Sequence, residues 1–387
     1  MKYDFDTPIN RRGTNSYKWD TTPEGVDAMW VADMDFRTAP CIIDALRRRV
    51  DEGIFGYTYV PKSYYDATTH WFAGRHGWTF PAEAIIYTSG VVPALSAIIK
   101  ALTKPGDKVI TQTPAYNCFF SSIRNNGCLL SANRLLYDQP TGRYSIDFDD
   151  LERRAADPQA TLMILCNPHN PSGRVWSRGE LLKIADICER HGVTVVADEI
   201  HCELVWPGYD YTPFCSLSPE IAARSVACVS PSKAFNIAGL QIANIVCENE
   251  AMRRRIDRAI NDNEVCDVNP FGVIATQEAY NHGADWLAQL KDYIWGNYQL
   301  LSDFFHRNLP RCVVTPLEGT YLAWVNVAAS GMTGKQVEEK LVELARVRLN
   351  AGDMYGPGGA DFLRFNLACP RALLADALQR ILDSGIL

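Results

Sequence analysis

Three polar clusters each follow a run of apolar, strand-like residues: Asn167-Pro168-His169-Asn170-Pro171-Ser172-Gly173, Asp198-Glu199-Ile200-His201 and Ser230-Pro231-Ser232-Lys233. In open α/β sheets ligands bind beyond the carboxyl ends of the strands. The three clusters therefore bring an amide, a carboxylate, an imidazole, hydroxyls and an amine toward one edge. Taken singly they are weak signals. Asn170 reads as a turn residue, Asp198 as a helix N-cap, His201 as a structural histidine and Lys233 as a surface lysine. Their shared placement is what points to a site. Lys233 also lies among Val229, Phe235 and Ile237, and apolar surroundings disfavour the charged amine and free it for imine chemistry.

Pyridoxal phosphate needs this set: an amine for its aldehyde, an anion beside the ring nitrogen, a donor to the ring hydroxyl, an aromatic face and a phosphate cup. Lys233 is the candidate amine, Asp198 the anion, Asn170 the donor and Tyr116 the stacking ring. Ser89-Gly90-Val91-Val92 opens a helix, so amides at Gly90, Val91 and Val92 can hold phosphate with Ser230 and Ser232 assisting. Rival chemistries lack their signatures. There is no G-x-G-x-x-G after the first strand, no G-x-x-x-x-G-K-[ST] and no H-E-x-x-H. Gly356-Pro357-Gly358-Gly359 reads as a loop.

The elements that must position these residues alternate. Strand-like runs at Ile85–Thr88, Lys108–Thr111, Thr161–Cys166, Val193–Ala197 and Ser225–Val229 are interleaved with helical patterns, which predicts an α/β fold with a mostly parallel sheet. Ser177 with Glu180 forms a capping box ahead of the apolar face Leu181, Ile184, Ala185 and Cys188. After about residue 270 a long helical pattern runs from about Asn269 to Asn308. Strands near Val313 and Tyr321, a helix capped by Thr333 and Gln336, and a strand near Phe362–Phe365 follow it. The expected organisation is an extended N-terminal arm over residues 1–45 that joins the small domain, a large domain over 46–270 and a smaller α+β domain over 271–387.

Composition narrows the function. The chain has 387 residues, 47% of them apolar, and a net charge of −7 with no sustained basic block. It is a poor nucleic-acid binder by that measure. The Arg47–Arg49 and Arg253–Arg255 runs read as solvated helix faces. No stretch of 18 apolar residues predicts a membrane span, and Met1–Asp6 has no apolar leader core. Twelve cysteines are scattered without C-x-x-C pairs, as expected of free thiols in a cytoplasmic protein.

These motifs make the chain similar to fold type I pyridoxal-phosphate enzymes of the aminotransferase class I/II superfamily. More narrowly, it resembles the MalY/PatB-type cystathionine beta-lyase branch. The resemblance is carried by Val31–Phe36, Phe55-Gly56-Tyr57, Thr113–Tyr116, Asn167–Gly173, Asp198–His201, Ser230–Gly239 and Phe362–Pro370. It implies a large domain on a mostly parallel sheet of seven strands. It implies that Lys233 binds the cofactor and shuttles a proton, that Asp198 pairs with the ring nitrogen, and that Asn170 pairs with the ring oxygen with His201 nearby. Tyr116 would stack on the ring, and Tyr57 would reach the phosphate of a neighbouring subunit's cofactor in a homodimer. Arg364, with Asp33 and Asn170, would bind the amino-acid substrate. His201 and Gln241 stand where many aminotransferases carry a tyrosine and a phosphate-binding arginine, which favours the lyase branch. The implied activity is β-elimination from L-cystathionine or another L-cysteine S-conjugate, giving a thiol, pyruvate and ammonia. An aminotransferase and a cofactor-bearing regulatory protein stay open as alternatives.

Overall fold

The computed structural model describes residues 2–262, 264 and 267–387. Its main sheet has seven strands: β1 (Ile85–Thr88), β2 (Lys108–Thr113), β3 (Leu129–Arg134), β4 (Ala160–Cys166), β5 (Thr194–Asp198), β6 (Ser225–Val229) and β7 (Ala243–Val246). Their spatial order is β1-β7-β6-β5-β4-β2-β3. β7 is antiparallel to β1 and β6, and the other pairings are parallel.

β4 is almost wholly apolar because both of its faces are covered. Leu162 and Ile164 pack with α1 (Val91–Leu102) and α2 (Asn117–Asn125) on one side. Met163 and Leu165 pack with α3 (Arg178–Arg190) on the other. Each such side chain taken from water contributes roughly 1.5–3 kcal/mol. The Ser177–Glu180 capping box that starts α3 is present. Register then does the positioning: Cys166 at the end of β4 is level with Asp198, and Asp198 is level with Cys228 of β6. The three polar clusters leave the sheet side by side.

The second sheet has the order β8-β9-β11-β10, all antiparallel, with β8 Val313–Val314, β9 Leu322–Asn326, β10 Asn350–Ala351 and β11 Phe362–Asn366. Asp27–Ala28 of the N-terminal arm pairs in parallel with Val347–Arg348 beside it. The arm is less extended than its composition predicts, with a helical turn at Tyr17–Asp20 and a helix from Pro40 to Asp51.

The single long helix expected near Asn269–Asn308 is two, α4 (Pro270–His282) and α5 (Ala284–Asn308). They divide at Gly283, where a Cβ would lie 2.4 Å from the Phe235 ring and 2.5 Å from the Ala279 carbonyl oxygen. That close approach requires glycine. β3 and β7 gave no clear strand pattern. β3 is an edge strand with Leu129 and Leu130 exposed, and β7 spans four residues with the polar Asn244 buried among them. Among the described residues, no helix is long and apolar enough to cross a membrane.

Candidate active site

A cavity of about 200 Å³ opens where β4, β5 and β6 end. Ala32, Gly90, Val91, Val92, Tyr116, Asn170, Asp198, His201, Ser232 and Lys233 line it, with Ile200 and Ile242 supplying apolar walls. Gly90 is the N-cap of α1 and supplies no side-chain cap. The first N–H groups of the helix are thus free to meet an anion.

Lys233 Nζ donates to the Ala32 carbonyl oxygen at 2.7 Å. Burial, and then the Arg364 charge, lower its pKa to about 8. Burial raises Asp198 to about 6 against the opposing pull of the Ile200 N–H, 3.2 Å from Oδ1, and of the Lys233 charge. A cation brought beside Asp198 would restore its ionised form. Burial, together with Lys233 and Arg364, holds His201 well below the usual imidazole range. Its Nδ1 is buried without a partner. Burial also pushes the Tyr116 phenol up, so Tyr116 stays a neutral ring on the cavity wall.

Arg364 on β11 is buried. Its Nη1 donates to Asn170 Oδ1 at 3.0 Å and its Nη2 to the Trp30 carbonyl at 2.9 Å. Its guanidinium lies 5.1 Å from the centre of the Tyr355 ring, and its Nε is buried without a partner. The bond to Oδ1 orients the Asn170 amide and leaves its NH₂ as the free donor. An unsatisfied imidazole nitrogen, an unsatisfied guanidinium nitrogen, a free amide donor and an open helix N-terminus around one amine and one carboxyl fit a planar, phosphorylated, aldehyde-bearing cofactor.

Two expectations change, at Ser230 and Asp33. Ser230 does not line the cavity: its hydroxyl donates to the Ile242 carbonyl at 2.6 Å and accepts the Ser232 N–H at 3.1 Å. It fixes the turn, and Ser232 faces the cavity. Asp33 has no free carboxylate for a substrate, because Arg11 grips both of its oxygens at 2.7 and 3.0 Å. The same Arg11 binds Asp35, which buried Lys18 also holds at 2.7 Å. Tyr57 is 99% exposed and belongs to no site within its own chain. Gln241 is exposed in a left-handed turn with φ 54° and lies outside the cavity lining, so Lys233 is the one cationic side chain among the described lining residues.

Sequence reasoning missed the backbone acceptors. The carbonyls of Trp30, Val31, Ala32, Asp33 and Met34 are each held by side chains, among them Arg364, Asn366, Lys233, Tyr321 and Asn236. Tyr321 shares the Ala32 oxygen with Lys233, its hydroxyl donating at 2.8 Å. The one sequence signal for this strap was Val31–Phe36 among the resembling stretches. Two aromatic rings lie under arginines near this strap, Tyr355 under Arg364 and Trp30 under Arg348, whereas Tyr59 is exposed.

Known proteins are similar to this chain over nearly its whole length. Cystathionine beta-lyase PatB of Bacillus subtilis (strain 168) is 44% identical over 382 residues, covering 97% of this chain and 98% of that one. Protein MalY of Escherichia coli (strain K12) is 31% identical over 389 residues, covering 99% and 98%. The crystal structure of cystalysin from Treponema denticola, which contains pyridoxal 5'-phosphate, superposes with a TM-score of 0.96 at 35% identity, covering 100% of this chain and 99% of that one. The family model for aminotransferase class I and II matches residues 30–381. With that match and these relatives, the chain belongs to the aminotransferase class I and II family.

Proposed function

We propose that this chain is a pyridoxal-phosphate-dependent carbon–sulfur β-lyase acting on L-cystathionine and related L-cysteine S-conjugates. The observation that carries it is the convergence of the half-buried Lys233 amine and the buried Asp198 carboxyl on one cavity walled by Tyr116, Asn170 and a helix N-terminus. The 44% identity to cystathionine beta-lyase PatB supports the choice of substrate class. When bound, pyridoxal phosphate supplies an aldehyde that condenses with amines and a ring that accepts the electron pair left on Cα.

The protein's own groups do the rest. Lys233 holds the cofactor through Nζ and, once released, takes the Cα proton at the same atom. Its depressed pKa leaves a useful fraction of neutral amine near neutral pH. Asp198 keeps a proton on the ring nitrogen, and the Asn170 NH₂ donates to the ring oxygen beside His201. Tyr116 covers one face. The Gly90, Val91 and Val92 amides and the Ser232 hydroxyl hold the phosphate. Arg364 binds the α-carboxylate, for which its planar fork is suited. The overall change consumes the S-conjugate and one water and yields a thiol, pyruvate and ammonia. With L-cystathionine the thiol is homocysteine.

A second copy of the chain completes the site in this proposal. Tyr57 lies in an exposed apolar run with Ile54, Phe55 and Tyr59, a surface suited to burial in a homodimer, from which it reaches the neighbour's phosphate. Free thiols at all eleven described cysteines fit the reducing cytoplasm. The test is purified enzyme with L-cystathionine, L-cystine and S-alkyl cysteines and no keto acid. Thiol and pyruvate released in equal amounts support the proposal; amino transfer to an added keto acid without thiol release replaces it with a transaminase. Stoichiometric capture of a protein partner with no turnover replaces it with a regulatory role.

A further inference from the structure

A second carboxyl stands beside Asp198 that the proposed chemistry does not use. Glu199 is wholly buried, and its backbone N–H donates to the Cys228 carbonyl at 2.9 Å. Its Oε1 accepts the Phe214 N–H at 2.8 Å. Its Oε2 and the Tyr211 hydroxyl are both buried, face each other and have no other hydrogen-bond partner. The titratable groups that face it are Asp198 on its own strand end, Tyr211 and Cys215 from the following loop, Cys202 from the turn after β5, and Cys228 on β6. None of them is a cation. Arg75, which acts on Cys202, and His76, whose ring meets Tyr211, are both taken up by Glu203 at 2.9 and 2.7 Å. The amine of Lys233 acts on Asp198.

An ionised carboxylate with only neutral donors, no counter-ion and a like-charged neighbour is costly in a low-dielectric interior. Two adjacent acids in unlike settings divide the two protonation states between them. We propose that Glu199 is held as an uncharged acid with its proton on Oε2 toward Tyr211, so that Asp198 is the single anion at this end of β5. With the proton on Oε2 the acid donates to the Tyr211 oxygen and leaves no uncompensated charge in the interior. Glu199 is a positioning residue: through the Phe214 N–H it ties the following loop to the strand end that carries Asp198. Asn167 Nδ2 adds a second tie, to the Thr212 carbonyl at 3.4 Å. The task given to Asp198 rests on the function proposed above; the uncharged state of Glu199 does not.

Burial, opposed by the Phe214 N–H and the Tyr211 hydroxyl and reinforced by Asp198, raises Glu199 from 4.5 to about 8. The folded protein therefore keeps a proton that the unfolded chain gives up, and stability declines as pH climbs from about 4.5 to about 8. E199Q, uncharged at every pH, escapes that decline.

The test compares melting temperatures of wild-type and E199Q holoenzymes from about pH 5 to about pH 8.5. The difference should shift in favour of E199Q by about 3–5 °C across that range. A difference that stays flat or shifts the other way overturns the proposal. Infrared spectra of the wild type give an answer without a variant: a carboxylic-acid carbonyl band present at about pH 7 and lost by about pH 9.5 is expected, and its absence at pH 7 contradicts the uncharged state. Positioning is read from kinetics. E199A should lower kcat at least tenfold with KM within twofold, and E199Q should restore most of it. E199Q falling as far as E199A means that the charge is required, and the proposal fails. The melting and infrared results need no substrate, so they stand apart from the lyase assignment.

Discussion

Lys233 keeps its Nζ 2.7 Å from the carbonyl oxygen of Ala32, 201 residues earlier in the chain. The N-terminal strap thereby becomes a wall of the catalytic cavity. The same strap is held by Arg364 through the Trp30 carbonyl, so Lys233 and Arg364 share one support.

Replacing Lys233 by Ala removes the proposed covalent link. The variant is expected to fold, to bind cofactor reversibly without the wild-type visible absorbance, and to lose turnover entirely. Absorbance after gel filtration, with a lyase assay, checks this; full activity in K233A contradicts it.

Asp198→Ala removes the only carboxylate among the residues lining the cavity. Electrostatic support of this kind is worth about 10²–10³ in rate. D198A should lose at least that much kcat while keeping its melting temperature within a few degrees. Near-normal kcat excludes the role given to Asp198.

Arg364→Lys keeps the charge but loses the fork that meets Asn170 and Trp30. A rise of about tenfold or more in KM for the amino-acid substrate is expected, with a smaller change in kcat. An unchanged dependence of rate on substrate concentration contradicts carboxylate binding there.

The two serines of the third cluster should separate. S230A loses the hydrogen bond to the Ile242 carbonyl and should destabilise the fold by about 1 kcal/mol with cofactor retained. S232A should keep its melting temperature and hold the cofactor several-fold more weakly. Equilibrium unfolding and cofactor titration decide between them; the reverse pattern refutes the assignment.

The Lys233 pKa of about 8 fixes the sign of the pH dependence. The amine removes a proton only when neutral, so kcat should rise with pH, nearly tenfold per unit well below about 8, and level off above it. A rate–pH profile that falls over the same span contradicts Lys233 as the base.

Much of the site was legible because chemistry sat at strand ends. Lys233, Asp198, Asn170 and Tyr116 all line the one cavity, and the continuous apolarity of β4 already placed its neighbours. What stayed hidden depended on partners distant in sequence. That Arg11 occupies Asp33, that Ser230 serves Ile242, and that carbonyls from Trp30 to Met34 serve as acceptors are tertiary facts without a residue-type signal. The break at Gly283 was concealed because helical periodicity continues across it, and its cause is the Phe235 ring against the backbone.

The most direct measurement is product analysis with L-cystathionine as sole organic substrate. Homocysteine, pyruvate and ammonia formed in equal amounts, without any added keto acid and lost in K233A, is the predicted result. Cystathionine left intact in that mixture, and consumed only once a keto acid is supplied with its carbon–sulfur bond unbroken, contradicts the account.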